Sequence, residues 1–386
     1  MQFSRYLEKL PPYLFADIDK AKRQAVADGK DVIDLGIGDP DTPTPQFIID
    51  AMCNALKDPS THKYAMDQGC PELREQIAIW YKKRFNVELS ANEEILALIG
   101  SKEGIAHLPF AMNNIGDVNL VPSPCYPPYK NATLLAGAEV YELPLLEENG
   151  FMPYLDKIKE SVWHKVKILY LNYPNNPTSA VGDWEFFEKC LFYAKKYDFL
   201  IAQDMAYSEI AYDGYKPISI LEVDKNKEHS IEFHSLSKTY NMTGWRIGWV
   251  CGNKDAVKAL SKFKSNMDSG IFQAIQLAGI EALKNGDEHI RQIQAMYKRR
   301  RDVLVDELSD AGFAVNRPKA TFYVWMRVPA GETSISFAKT LLEKASIVAT
   351  PGVGFGRAGE GYIRFALTVP EDRLKEAVGR LKGVVV

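Results

Sequence analysis

The sequence predicts an α/β protein: a mostly parallel, seven-stranded sheet set between helices, with a smaller α+β domain beside it. Three observations carry this expectation. Short apolar runs of four to seven residues start near Ile95, Val118, Val140, Ile168, Phe199, Ile231 and Ile247, and they lack polar alternation, as strands buried on both faces do. Amphipathic segments separate them, until from about Lys254 the pattern shifts to long helices and then to a strand-helix-strand-strand-helix ending. Finally, 386 residues exceed the roughly 250 to 300 that one hydrophobic core serves, so two domains are expected.

Taken in order, Glu72 to Phe85 places Leu73, Ile77, Trp80 and Tyr81 on one helical face. The run ending at Ile99 meets Gly100-Ser101-Lys102-Glu103-Gly104, a strand, a glycine turn and a helix start. The β-branched run Lys167 to Leu171 leads into Tyr173-Pro174-Asn175-Asn176. Asp183 is the expected N-cap of a helix whose stripe is Trp184, Phe187, Leu191 and Ala194. The expected division is a large domain over 45–280, and a small domain built from 281–386 together with part of an N-terminal arm, 1–44. Gly352-Val353-Gly354-Phe355-Gly356 lacks the third glycine of a dinucleotide fingerprint and follows no βα unit, so no such site is expected there.

Composition excludes several classes of function. A net charge of −3 gives no long-range attraction for nucleic acid or an anionic membrane. Lys298-Arg299-Arg300-Arg301 is the one basic run, and it lies in a helical pattern as a solvated or domain-contacting face. The five cysteines (53, 70, 125, 190 and 251) have neither paired nor CxxC spacing, which predicts reduced thiols, no metal site and no disulfide framework. Charges in Met1 to Glu8, and no stretch near the ~20 apolar residues of a membrane span, predict a cytoplasmic location.

The chemistry centres on Ser235-Leu236-Ser237-Lys238, followed by Thr243-Gly244-Trp245-Arg246. Nearby positive charge and partial burial disfavour an ammonium, so Lys238 is expected to offer a neutral amine able to condense with an aldehyde. Ser235, Ser237 and Arg246 supply donors suited to a phosphate dianion, the arginine as a planar fork. The helix opening at Ser101 adds backbone N–H groups for the same anion. Asn176 and Asp204 each follow or end an apolar run, at the strand C-termini where ligands of open α/β sheets collect. Alone, each reads as a turn residue. Together with the lysine they describe a pocket for pyridoxal phosphate, in which Asn176 donates to the phenolate oxygen, Tyr207 shares that oxygen, and Asp204 keeps the pyridine nitrogen protonated.

With these residues in hand, the chain resembles the fold-type I, class I/II pyridoxal-phosphate-dependent aminotransferases over essentially its whole length. The resemblance implies that Lys238 is the catalytic lysine, and that Ser101, Lys102, Ser235, Ser237 and Arg246 form the phosphate cup. It implies that Tyr126, in Ser123-Pro124-Cys125-Tyr126, stacks on the cofactor ring, and that Arg364, in Tyr362-Ile363-Arg364-Phe365, holds the substrate α-carboxylate. It further implies a homodimer with shared sites, Tyr64 reaching the phosphate of the neighbouring subunit. One departure stands out: the family usually continues the asparagine motif as Pro-Thr-Gly, and here it is Pro177-Thr178-Ser179.

Among subgroups, the segments around Leu10-Pro11-Pro12-Tyr13 and Asp34-Leu35-Gly36-Ile37-Gly38 are most similar to those of the LL-diaminopimelate aminotransferases. That likeness implies substrate contacts from Tyr13, Gly38, Lys102, Tyr126 and Asn176 beside Arg364. It implies the interconversion of LL-diaminopimelate and 2-oxoglutarate with tetrahydrodipicolinate and glutamate, in the synthesis of lysine and cell wall. Aspartate, alanine or succinyl-diaminopimelate amination stays open, as does C–S β-elimination on the same lysine. A non-catalytic pyridoxal-binding regulator would need an added DNA-binding domain, and no helix-turn-helix extension is legible.

Overall fold

A computed structural model describes residues 3–10, 14–65 and 67–385 of the chain. Among these, twelve strands occur in the order β1 (Ile33–Asp34), β2 (Ile95–Leu98), β3 (Val118–Ser123), β4 (Glu139–Pro144), β5 (Val166–Leu171), β6 (Leu200–Asp204), β7 (Ser230–Ser235), β8 (Gly248–Gly252), β9 (Tyr323–Arg327), β10 (Ile347–Val348), β11 (Thr350–Pro351) and β12 (Tyr362–Ala366).

Seven of them, ordered β2-β8-β7-β6-β5-β3-β4, make the central sheet. β8 alone runs antiparallel to its neighbours β7 and β2, and the other pairings are parallel. Each of the seven apolar runs became one of these strands. The alternation along β5 explains why the run from Ile168 to Leu171 is apolar on both faces: Leu169 and Leu171 enter one core, Ile168 and Tyr170 the other, and Lys167 sits only partly buried near the strand's start. Helices Pro71–Phe85 and Trp184–Tyr197 pack on the first face, Ser101–Met112 and Lys254–Lys264 on the second. Asp183 caps the helix Trp184–Tyr197 as expected, accepting from the Phe186 N–H. Its stripe is Phe187, Cys190, Leu191 and Ala194 rather than one starting at Trp184, because the first helical residue lies at the rim and Trp184 stays 42% exposed.

A second core surrounds the antiparallel sheet β11-β12-β9 and helices Asp287–Asp310, Ser334–Ala345 and Glu371–Val385. It takes in Ile33 and Leu35 from the N-terminal segment, where β1 pairs in parallel with β10. It also takes in Tyr207, Ile210 and Tyr212, which follow β6, so the two halves of the molecule interlock beside that strand's C-terminal end. The basic run is a contact face: Arg300 holds Asp41 through two bonds of 2.7 and 2.8 Å, and buried Arg301 holds Asp213 and the Pro318 carbonyl.

Candidate active site

A cavity of about 730 Å³ lies at the C-terminal ends of the parallel strands. One wall comes from the ends of β6 and β7 and the segment after β5, the other from Tyr323 of β9 and Arg364 of β12. Parallel strands leave their carbonyl ends and the following turns on one side, which is why residues far apart in sequence converge here.

Lys238 follows β7 in the short helix Leu236–Thr239, with the Ser235 side chain capping it through the Ser237 N–H. Its Nζ donates to the Gly38 carbonyl at 2.7 Å. Burial pushes the amine down to about 8, opposed by Asp39 and helped by the guanidinium groups of Arg364 and Arg246. A neutral amine is therefore within reach near neutral pH.

At one end of the cavity, Ser101 opens the helix Ser101–Met112 after Gly100, whose φ is +74°. The Arg246 guanidinium lies against Gly100, in space that a Cβ there would fill. A cation is thus packed on the positive end of a helix, and its guanidinium donates to the Thr243 carbonyl at 2.8 Å rather than to a carboxylate. Ser235, Ser237 and Lys102 line the same cavity. An oxyanion with two or more charges fits this end.

Asp204, the last residue of β6, is buried and accepts from the Tyr129 hydroxyl at 2.8 Å. Burial raises its carboxyl to about 6, against the pull of Tyr129 and the Ala206 N–H. A cation placed beside it would relieve that cost, as a protonated ring nitrogen would. Asn172 joins the two neighbouring segments, donating to the Asp204 carbonyl at 2.8 Å and accepting from the Asn176 N–H at 2.8 Å.

Arg364 is buried on β12 and donates to Asn176 Oδ1 at 2.8 Å and to the Gly36 carbonyl at 2.7 Å. Its Nε–H is buried with no partner among the described residues, which suits a carboxylate ligand. Tyr207 lies 3.0 Å from the Tyr323 hydroxyl, and burial drives its own phenol well above the usual range. Tyr126 lines the cavity beside Tyr129.

A phosphate-sized anion site, an amine and a buried carboxylate thus lie in one cavity, and pyridoxal phosphate matches their charges. Every site residue expected from sequence lies in it except two. Tyr64 is 92% exposed and outside the cavity, and Tyr13 lies outside the described residues. Sequence reasoning missed Tyr129, Asn172 and Tyr323. An aromatic or an amide carries no spacing signal for such work, and only the Tyr126/Tyr129 proximity hinted at one of them. Ser179, the departure from glycine, has φ +60°. Its hydroxyl donates to the Tyr323 carbonyl at 2.8 Å and lies 2.7 Å from Thr321 Oγ1, so side-chain bonds support a left-handed turn that glycine would adopt without them.

Among the described residues no group of His, Cys, Asp and Glu is placed to hold a metal ion, and no helix is long and apolar enough to cross a membrane. The family model "aminotransferase class I and II" matches residues 30–381. The LL-diaminopimelate aminotransferase of Halothermothrix orenii is 51% identical over 383 residues, covering 99% of this chain and 98% of its own. Two solved structures superpose over nearly all of both chains. Substrate-bound BacF from Bacillus subtilis does so with a TM-score of 0.95 at 36% identity, covering 99% of this chain and 98% of its own. A Thermus thermophilus aspartate aminotransferase single mutant does so with a TM-score of 0.94 at 30% identity, covering 100% of each.

Proposed function

The chain belongs to the class I and II aminotransferases, and on that footing we propose that it moves the amino group of LL-diaminopimelate to 2-oxoglutarate, giving tetrahydrodipicolinate and glutamate. Enzymes of this family use pyridoxal 5′-phosphate, which when bound supplies an electron sink for the pair left at the substrate α-carbon. The single observation behind the substrate is the full-length likeness to LL-diaminopimelate aminotransferases at half identity. Backbone shape does not choose among substrates, since an aspartate enzyme superposes almost as well as BacF.

The residues divide the work. Ser101, Lys102, Ser235, Ser237 and Arg246 hold the phosphate, and Asp204 keeps a proton on the pyridine nitrogen. Asn176 and Tyr207 donate to the phenolate oxygen, and Tyr126 limits tilting of the ring. Lys238 Nζ would hold the aldehyde of the bound cofactor and, as a free amine pushed down to about 8, would be a suitable base for the substrate α-proton. Arg364 fixes the α-carboxylate so that the α C–H bond faces Lys238. Gly38, Lys102 and the Tyr13 segment are the proposed contacts for the distal end.

The same reading extends to organisation. We propose a large domain over 45–280 and a small domain from 281–386 with part of 1–44, in a homodimer whose Tyr64 serves the neighbouring site. Five free thiols favour the cytoplasm, where lysine and cell-wall precursors are made. The deciding experiment mixes the loaded enzyme with single amino acids and follows the cofactor absorbance. Conversion by LL-diaminopimelate and glutamate supports the proposal. Conversion by aspartate or alanine in preference to both would leave an aminotransferase of another substrate class.

A further inference from the structure

Tyr323 lies where several of these residues meet. It is buried at the start of β9, its hydroxyl is 3.0 Å from that of Tyr207, and the Arg364 Cζ sits 4.1 Å from its ring centroid. A Cβ on Gly38 would overlap its hydroxyl, and the Gly38 carbonyl is the one that Lys238 bonds. We propose that Tyr323 is a positioning residue that couples the carboxylate grip of Arg364 to the hydroxyl of Tyr207. This rests on the pyridoxal reading above.

The backbone holds Tyr323 in place from both sides. Ser179 has one hydroxyl proton, given to the Tyr323 carbonyl, so Thr321 Oγ1 donates to Ser179 and accepts from the Tyr323 N–H at 3.1 Å. Thr321 itself has φ +69°, a sparsely populated conformation for a β-branched residue, and its N–H is tied to the Ile210 carbonyl at 2.8 Å. Such a conformation persists only where its surroundings over-determine it. The Tyr323 backbone is thus bonded to Ser179, three residues after Asn176, and pairs with Ala366, two residues after Arg364, on β12.

The direction of the tyrosine pair follows from proton count. Tyr207 has one proton, needed by the cofactor's phenolate oxygen, so the bond between the two hydroxyls must be donated by Tyr323. A donor chain of this kind polarises, making Tyr207 the stronger donor. At the same time the face of the Tyr323 ring supports the Arg364 guanidinium. One side chain thereby acts on both the phenolate and the carboxylate ends.

Tyr323→Phe removes the hydroxyl and keeps the ring, whereas Tyr323→Leu removes both. In the pyridoxal-loaded enzyme, the pH midpoint of the cofactor's absorbance change should rise by about half a unit in Tyr323→Phe, since a weakened donor stabilises the phenolate less. Tyr207→Phe, losing the donor itself, should move it further. The dissociation constant of glutarate, an unreactive dicarboxylate, should stay within about twofold in Tyr323→Phe and rise roughly tenfold in Tyr323→Leu. A wild-type midpoint in Tyr323→Phe, with Tyr207→Phe shifted, overturns the coupling and leaves the pyridoxal reading intact. Unchanged glutarate binding in Tyr323→Leu overturns the part played by the ring. A wild-type protein with no cofactor absorbance overturns both readings.

Discussion

Lys238 Nζ and the Gly38 carbonyl are 2.7 Å apart although 200 positions separate them in the chain. The bond brings the N-terminal segment to the amine and satisfies one of the three ammonium donors in a place where burial disfavours the charge.

A pH dependence of stability follows for the cofactor-free protein. Folded Lys238 loses its proton near 8, the unfolded chain near 10.5. Between those values the unfolded state binds more protons, so the lysine's contribution to stability improves as pH rises; below pH 8 the buried ammonium costs up to about 3 kcal/mol. Lys238→Met is therefore expected to have a higher Tm than wild type at pH 7 and to lose that advantage by pH 10 in calorimetric scans. An advantage equal at both pH values would mean that the amine is not desolvated. In the loaded enzyme, borohydride should fix the pyridoxyl group on Lys238, and peptide mapping that found it on Lys102 would reassign the catalytic lysine.

Ser179 allows a test of how a left-handed turn is supported. Ser179→Ala keeps the φ +60° strain and loses the bonds to Thr321 and Tyr323, with an expected loss of about 1 to 3 kcal/mol. Ser179→Gly loses the same bonds and relieves the strain, so it should be about 1 kcal/mol more stable than the alanine variant. Urea unfolding of the three proteins checks the order. Equal stability of the alanine and glycine variants would rule out strain at this position.

Tyr64 stands 92% exposed in the single chain, outside the cavity. If it completes a neighbour's site, mixing Tyr64→Phe with Lys238→Ala subunits should restore activity through hybrid dimers that hold one intact site and one with both lesions. Mass spectrometry establishes subunit exchange. Exchange without any regain of activity would place Tyr64 in the site of its own subunit, or in none.

Substrate stereochemistry separates the proposed function from its neighbours. A pocket that grips one α-carboxylate through Arg364 and pairs the distal ammonium and carboxylate at fixed positions leaves a group unmatched when the distal centre is inverted. An unmatched buried polar group costs about 1 to 3 kcal/mol, or roughly 5- to 150-fold. LL-diaminopimelate should therefore exceed the meso form by at least that factor in kcat/KM with 2-oxoglutarate, and Tyr13→Phe should weaken it more than glutamate. Equal rates for the two isomers would remove fixed distal partners from the account.

The sequence by itself determined the layered α/β sheet and most of the residues that line the cavity around Lys238. Apolar runs from Ile95 to Ile247 stated where the strands lie because burial on both faces is a local property of the inner runs, while the edge strand β4 keeps only Leu143 buried. That Ser101, Ser235, Ser237 and Asp204 line one cavity was legible because turns at strand C-termini face a common side wherever such a sheet forms. Tertiary structure alone decided the rest. β1 and β10 are two residues each and too short for any period, so their pairing exists only through the chain's closure. Arg300 and Arg301 read as one charge run, yet their burial depends on Asp41 and Asp213 arriving from distant segments. Tyr129, Asn172 and Tyr323 matter through partners 75, 32 and 116 positions away in Asp204, the Asp204 carbonyl and Tyr207. A side chain's hydrogen-bond partner is set by where two cores meet in space, and no pattern along the chain records that distance.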